Sequence, residues 1–348
     1  QRGTFDGLRR SVIYARAEKD ENGCAQLYQY AADREYRFVS LSGSLAAASN
    51  SRILLMGEDG QVRYSESILF TNCTVTGNGK WAAVYDVGGK EIYVLDAQGE
   101  VYRLTLDGDI LAAALNPGGY LAVMVNTSGY KASVEVYDPK GEKVFAFHSG
   151  DQFLMTAAVS ADSHQMAAVT MGQENGSFQS QIRFYPVDQK EPSATVSLGN
   201  MVVMDLDYED GRLWVLGEDR VSAVSEDGSV TGSYSLGRNY LKGCSFGGNG
   251  FAVLLLSRYR AGSAGQAVVV GPDGTETASL TLPANVLDLD AAGRYLALLS
   301  GERLEVYTSD MTPYSSLEHT QNARHLSLSD SGAALLANAQ RAWLYLPS

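Results

Sequence analysis

The chain has 348 residues, with 40 Asp and Glu against 27 Lys and Arg, a formal charge of −13 and a pI near 4.8. Such a chain lacks the broad basic face that displaces counterions from a phosphate backbone, so nucleic acid is not expected as a partner. Hydrophobic content of 45% with 36 Gly, 20 Tyr and only 8 Pro excludes disorder, and the lack of any run of 18 apolar residues excludes a membrane-spanning helix in this sequence.

The sequence opens at Gln1 without an initiator Met, as expected of a chain from which a targeting or anchor segment has been removed. The stretches "RRSVIYARA" and "AQLYQYAADREYRFVSL" then pass without completing a unit of the kind that follows. From there one pattern recurs: an apolar alternating run, a turn rich in Gly, Asp or Pro, and a second alternating run. Its copies are "RILLMGEDGQVRYSES" at 52–67, "EIYVLDAQGEVYRLTL" at 91–106, "VEVYDPKGEKVFAFHS" at 134–149 and "IRFYPVDQKEPSATVSL" at 182–198. "VSAVSEDGSVTGSYSL" at 221–236, "AVVVGPDGTETASLTL" at 267–282 and "LEVYTSDMTPYSSLEH" at 304–319 follow, and "AWLYLPS" at 342–348 is half a copy. From Ile53 through Ile92, Val134, Ile182, Val221, Ala267, Leu304 and Ala342 the steps are 39, 42, 48, 39, 46, 37 and 38 residues. A strand-built repeat near 40 residues is the period of a β-propeller blade.

Upstream of each copy lies a second recurring half, a short run, a turn with Gly or Asn, and an apolar run, as in "TVTGNGKWAAVYD", "ALNPGGYLAVMV" and "DLDYEDGRLWVLG". Gly and Asn serve there because tight hairpins need positive φ. Each unit is therefore four antiparallel strands, here called A to D. The Ala- and Met-rich "LMTAAVSADSHQMAAVT" favours helix by composition, but turn signals in register with the other copies make it strand. The final unit stops at its third strand, so the N-terminal segment must supply the fourth. Eight third-strand copies predict eight blades, or seven if one copy is an irregular insertion. The expected organisation is one propeller domain over 1–348: 1–40 completing the ring, 41–341 the repeats, and 342–348 the third strand of the closing blade.

The turns Asp138-Pro139-Lys140-Gly141 and Gly271-Pro272-Asp273-Gly274, after "VEVY" and "AVVV", resemble those of WD-repeat-like propellers and of strand repeats of the "YVTN" kind. "IYVLDAQGEVYRL" resembles the quinoprotein-type repeat. The whole chain is similar to an uncharacterised family of bacterial propeller domains, of unknown function, held outside the cell by an N-terminal anchor. That resemblance implies an extracytoplasmic location. The chain departs from quinoprotein enzymes in having only Trp81, Trp214 and Trp343, none on a D strand, and no counterpart of the acidic base, calcium ligands and paired cysteines of the cofactor site. No cofactor is expected.

Chemistry-bearing motifs are scarce. His148, His164, His319 and His325 have no metal-ligand spacing, and "DLDYEDG" puts Asp210 where a calcium loop needs Gly, so it reads as a hairpin turn and no metal site is expected. No nucleophile elbow or phosphate-cradling loop occurs. In a propeller the B–C and D–A connections share one face, and three B–C connections are expanded: "NTSGYKAS" at 126–133, "MGQENGSFQSQ" at 171–181 and "SRYRAGSAGQ" at 257–266. Arg258, Tyr259 and Arg260 form the aromatic-basic cluster of this acidic chain, and paired guanidiniums fit a carboxylate, a sugar acid or a negative protein patch. Tyr130, Lys131 and Phe178 come from the other two loops, and Arg238, Asn239, Tyr240 and Arg324 from D–A connections. Phe70, Phe153 and Tyr240 recur at one place in the repeat and are expected to wedge between blades.

The function expected is that of a non-catalytic, monomeric, extracytoplasmic scaffold binding a protein or glycan through this face, with no catalytic residue. The alternative is a hydrolase or lyase acting on a polysaccharide or small ester at the mouth of the central channel. A carboxylate pair or His–acid pair within about 3 to 5.5 Å there would favour catalysis.

Cys73 and Cys244 each lie four residues before a glycine, Gly77 and Gly248, on A strands of different units. A disulfide needs Cα atoms within about 7 Å, which units across a propeller do not provide. Alkylation under denaturing, non-reducing conditions should therefore modify all three cysteines, Cys24 included, by intact mass; a Cys73–Cys244 bridge would overturn the repeat register.

Overall fold

The computed structural model describes residues 2–30, 35–41, 44–57 and 61–348. The chain is an eight-bladed β-propeller whose blades are all four-stranded antiparallel sheets. Blades 1 to 7 span residues 37–67, 73–105, 109–149, 153–199, 203–235, 240–281 and 286–318. Blade 8 takes its A, B and C strands from His325–Leu328, Ala334–Ala337 and Arg341–Tyr345, and its outer D strand from Cys24–Gln29, which pairs antiparallel with Arg341–Tyr345. The expectation that the N-terminal segment closes the last blade is met, and the count is eight. Contacts divide the chain into two compact units, one holding blades 6 to 8 with the N-terminal segment, the other blades 1 to 4 with the first three strands of blade 5.

The burial pattern explains why these sequences make blades. Middle strands are buried nearly throughout, as in Leu121–Asn126 and Phe251–Ser257, because both of their faces are covered by neighbouring blades. Outer D strands such as Val62–Ser67 alternate half-buried and exposed positions, the pattern of a sheet edge with one wet face. The core therefore lies between blades. Ile92 and Val94 of blade 2 pack with Ile110, Leu121 and Val123 of blade 3. Leu299, Leu304 and Val306 of blade 7 pack with Leu326, Leu336 and Trp343 of blade 8. The stretch that composition alone would have made helical forms strands Phe153–Val159 and Gln165–Glu174.

The recurring Asp of the C–D turns is a cap. In blade 3 the Asp138 carboxylate accepts the N–H groups of Lys140 at 2.8 Å and Glu142 at 3.0 Å, and Gly141 has φ +85°. Asp227, Asp273 and Asp310 repeat this in blades 5 to 7. In blade 7 the left-handed position falls to Met311, at φ 62°. The corresponding turn of blade 1, at 58–60, lies outside the described residues.

Inner strands need another device, because an A strand has a sheet partner on one side only. Blade 7 supplies it to blade 8. Asp290 accepts the N–H of Leu328 at 2.7 Å, and Asp288 that of Leu326 at 2.8 Å. Blade 6 does the same for blade 7, where Ser245 Oγ accepts the N–H of Ala291 at 3.0 Å. Burial pushes Asp290 up to about 6 against these hydrogen bonds, and burial also raises Asp288. Blade 5 repeats the motif with Asp205 and Asp207, but no hydrogen bond reaches the Asp207 carboxyl among the described residues. Burial, then the charges of Glu209 and Asp205, raise it well above the usual carboxylate range.

Cys24, Cys73 and Cys244 are thiols, and burial raises Cys24 and Cys73 to about 11, which keeps them protonated and unreactive at neutral pH. Cys24 sits on the closing strand.

One element went unanticipated, a helix at Arg2–Ile13. Its polar side faces blades 7 and 8. Asp6 accepts from Arg294 at 2.9 and 3.1 Å and from the Tyr295 hydroxyl at 2.5 Å. Arg10, 2% exposed, donates to the Tyr314 hydroxyl at 2.9 Å and the Ser331 carbonyl at 2.5 Å. Phe5, Leu8 and Val12 are left outside, 69%, 64% and 71% exposed. This inverts the usual amphipathic arrangement, so no apolar periodicity toward the core announces the helix.

Two stability predictions follow from these contacts. Arg10→Ala leaves a buried carbonyl without its donor, a loss of about 1–3 kcal/mol. Limited trypsinolysis should then cut faster at Arg9 and Arg16 while the blades remain resistant; unchanged cleavage would show that the helix is held otherwise. Asp207 has a raised folded-state pKa, so its contribution to stability falls as pH rises from the unfolded value near 4 toward the folded one. Asp207→Asn should raise the melting temperature at pH 7 and leave it nearly unchanged at pH 4, and equal effects at both pH values would refute this account.

Candidate functional site

In blade 6 the strand register does what sequence spacing could not. Tyr240 pairs with Ser257 and Leu241 with Leu256, which brings the D–A connection 236–239 and the B–C loop 258–265 to the same edge of one sheet. Arg238, Tyr240, Lys242, Arg258, Tyr259 and Arg260 are all exposed there, Tyr259 to 73%. Lys242 Nζ donates to the Arg260 carbonyl at 2.7 Å, and the Tyr259 N–H donates to Ser257 Oγ at 3.1 Å, so the loop is tied to its own A and B strands. Among the described residues, Arg238, Arg258 and Arg260 have no carboxylate within ion-pair distance. Guanidiniums present planar forks of donors, so the patch is a positive site with two phenol rings. Asn239 forms the turn before it, its N–H donating to the Leu236 carbonyl at 3.0 Å.

Arg324 is also exposed, but it enters blade 8, with its N–H on the Ala337 carbonyl, and blade 7 stands between it and the cluster. Lys242 escaped the sequence reading. It sits at a bulge, where the register shifts between Leu241 and Gly243, so simple alternation from Tyr240 does not place it.

The other unit holds the remaining candidates. Tyr130 stacks on His148 with ring centroids 4.8 Å apart, and His148 Nδ1 lies 2.8 Å from Ser133 Oγ. Lys131 Nζ lies 5.1 Å from the centre of the Phe153 ring, a cation–π contact across blades 3 and 4. Phe178, on strand Ser177–Pro186, is 60% exposed. The loop expected at 171–181 is no loop: strands Gln165–Glu174 and Ser177–Pro186 pair without interruption to Glu174 and Ser177, and Asn175-Gly176, both at positive φ, make a two-residue turn. The connection expected at 126–133 shrinks to 127–131 once its strands are drawn. Only 258–265 remains a true expanded loop.

The wedge expectation holds for Phe70, 6% exposed and 6.1 Å from the Tyr93 ring, and fails for Phe153 and Tyr240, 53% and 44% exposed. Equivalent positions in the repeat thus serve burial in one blade and contact with solvent in others. On the A strand of blade 7, Asp288 and Asp290 spend their oxygens on backbone N–H groups of blade 8 and of their own strand.

Comparison with known proteins shows the fold. BamB from Moraxella catarrhalis is similar at 13% identity and TM-score 0.58, over 93% of this chain and 100% of that one. The C-terminal WD40 domain of Sif2 matches at 13% identity and TM-score 0.63, over 93% and 99%. Chaetomium thermophilum Sqt1, solved bound to the N-terminus of the ribosomal protein L10, matches at 12% identity and TM-score 0.60, over 94% and 100%. No curated protein matches. A family of unknown function, DUF5711, matches over residues 22–326, most of the chain, and the protein belongs to that family.

Proposed function

We propose that this protein is a non-catalytic scaffold that holds an acidic segment of a protein partner on blade 6. The observation that carries this reading is the convergence of Arg238, Lys242, Arg258 and Arg260 with Tyr240 and Tyr259 on one edge, with the three guanidiniums unspent on carboxylates. Arginine forks pair bidentately with carboxylates, and exposed tyrosines give contact area at small entropic cost. The chain's charge of −13 repels an acidic partner everywhere else, so attraction confined to this patch would also orient the encounter. Sqt1, a propeller of the same fold, is described with a protein N-terminus bound, which is support by analogy.

The test uses a fluorescent Glu-rich peptide as probe, titrated by anisotropy at several salt concentrations. Arg258→Ala/Arg260→Ala should weaken binding tenfold or more and flatten its salt dependence, while denaturant melts shift by no more than about 0.5 kcal/mol. Wild-type affinity in the double variant would remove the patch from the binding site. A loss of stability well beyond that figure would make the cluster structural.

A further inference from the structure

In blade 4 the long hairpin leaves a cleft of about 220 Å³, lined by Gln152, Gly172, Gln173, Glu174, Gln179 and Gln181. Four of these six residues are glutamines, and the sheet explains why Gly172, Glu174, Gln179 and Gln181 meet, while Gln173 alternates to the other face of its strand. Thr170 pairs with Gln181, Gly172 with Gln179 and Glu174 with Ser177, so these residues share one face of the hairpin. Gly172 is the floor: a Cβ there would stand 3.1 Å from Cγ of Gln152, whose side chain crosses above it. Gln152 is already oriented, its Oε1 accepting from the Thr170 hydroxyl at 2.6 Å, which leaves its Nε2 as a donor. Gln179 and Gln181 are half-buried, and their amides have no hydrogen-bond partner among the described residues.

We infer that this cleft binds a neutral polyhydroxyl ligand, a single sugar ring of a glycan. Elimination leads there. An apolar ligand would strand the half-buried amides without partners. An anion would meet Glu174 and no cation in the lining, and a cation would find only that one carboxylate. What the lining offers is a set of side-by-side donors and acceptors, since each amide presents two N–H groups and a carbonyl oxygen. Vicinal hydroxyls, each donor and acceptor at once, match that set. The volume lies below the roughly 300–1,000 Å³ of sites for drug-sized molecules, so one ring fits and a longer chain would run out over the open rim. Phe178 is not among the lining residues, so hydrogen bonds alone hold the ligand and its affinity is in the millimolar range.

The experiment is saturation-transfer NMR on the full chain with glucose, galactose, mannose, N-acetylglucosamine and maltose, each at about 10 mM, and with a neutral capped tripeptide as the competing class. At least one sugar should receive saturation and the tripeptide should not. Gln179→Leu/Gln181→Leu and, independently, the cleft-filling Gly172→Val should each reduce the sugar signal tenfold or more, while Phe178→Ser leaves it unchanged. If no sugar responds, if the tripeptide responds equally, or if the signal survives in a folded Gly172→Val protein, the inference fails.

Discussion

Everything in this fold depends on burial between blades. A four-stranded sheet of this composition has two apolar faces in its middle strands, and a single blade can cover neither. Ala83, Val94 and Leu121 are fully buried only because blades 2 and 3 face each other. At roughly 1.5–3 kcal/mol for each large aliphatic side chain, this between-blade term is the main favourable contribution to the fold. It explains why 40-residue units that could not fold alone form a stable repeat. It also explains why the last blade borrows Cys24–Gln29, since without it the Arg341–Tyr345 strand would carry an open edge.

Backbone satisfaction is the second constraint, and the repeat meets it with carboxylates. The C–D turns of blades 3 and 5 to 7 are capped by their own Asp, and the inner strands of blades 7 and 8 receive Ser or Asp side chains from the preceding blade. A propeller built this way consumes many acidic groups structurally, and an abundance of Asp is no sign of catalysis in it. The N-terminal helix follows the same logic, docking by Asp6 and Arg10 rather than by an apolar stripe.

The negative charge spent on turns and inner strands throws the blade 6 cluster into relief. Among the described residues no carboxylate reaches its guanidiniums, whereas Arg103 is tied to Glu100 at 2.7 Å and Arg303 to Glu305 at 3.1 Å. The blade 4 cleft differs in kind: it is nearly uncharged and depends on amides held in place by a hairpin. The two features sit in different units of the chain and call for different ligands.

The sequence by itself determined the repeat, the strand content and the closure by an N-terminal strand, because alternation and turn residues are local signals with a fixed period; the choice of eight units over seven came from the structure. It also determined which loops carry Arg258, Tyr259 and Arg260. Tyr240 and Arg238 were expected on the same face; only the tertiary structure decided that Lys242 joins them and that Arg324 does not, since that depends on strand register and blade order. Register likewise turned the supposed loop at 171–181 into a hairpin and gathered Gln152 with Gln179 and Gln181, residues about thirty positions apart with no shared motif. Phe70 and Phe153 occupy one repeat position yet differ in burial, because the neighbours that cover a ring come from other blades. The helix at Arg2–Ile13 stayed invisible for the same reason: its partners, Arg294, Tyr314 and Ser331, lie about 290 to 320 residues away, and a polar docking face leaves no periodic trace in the sequence.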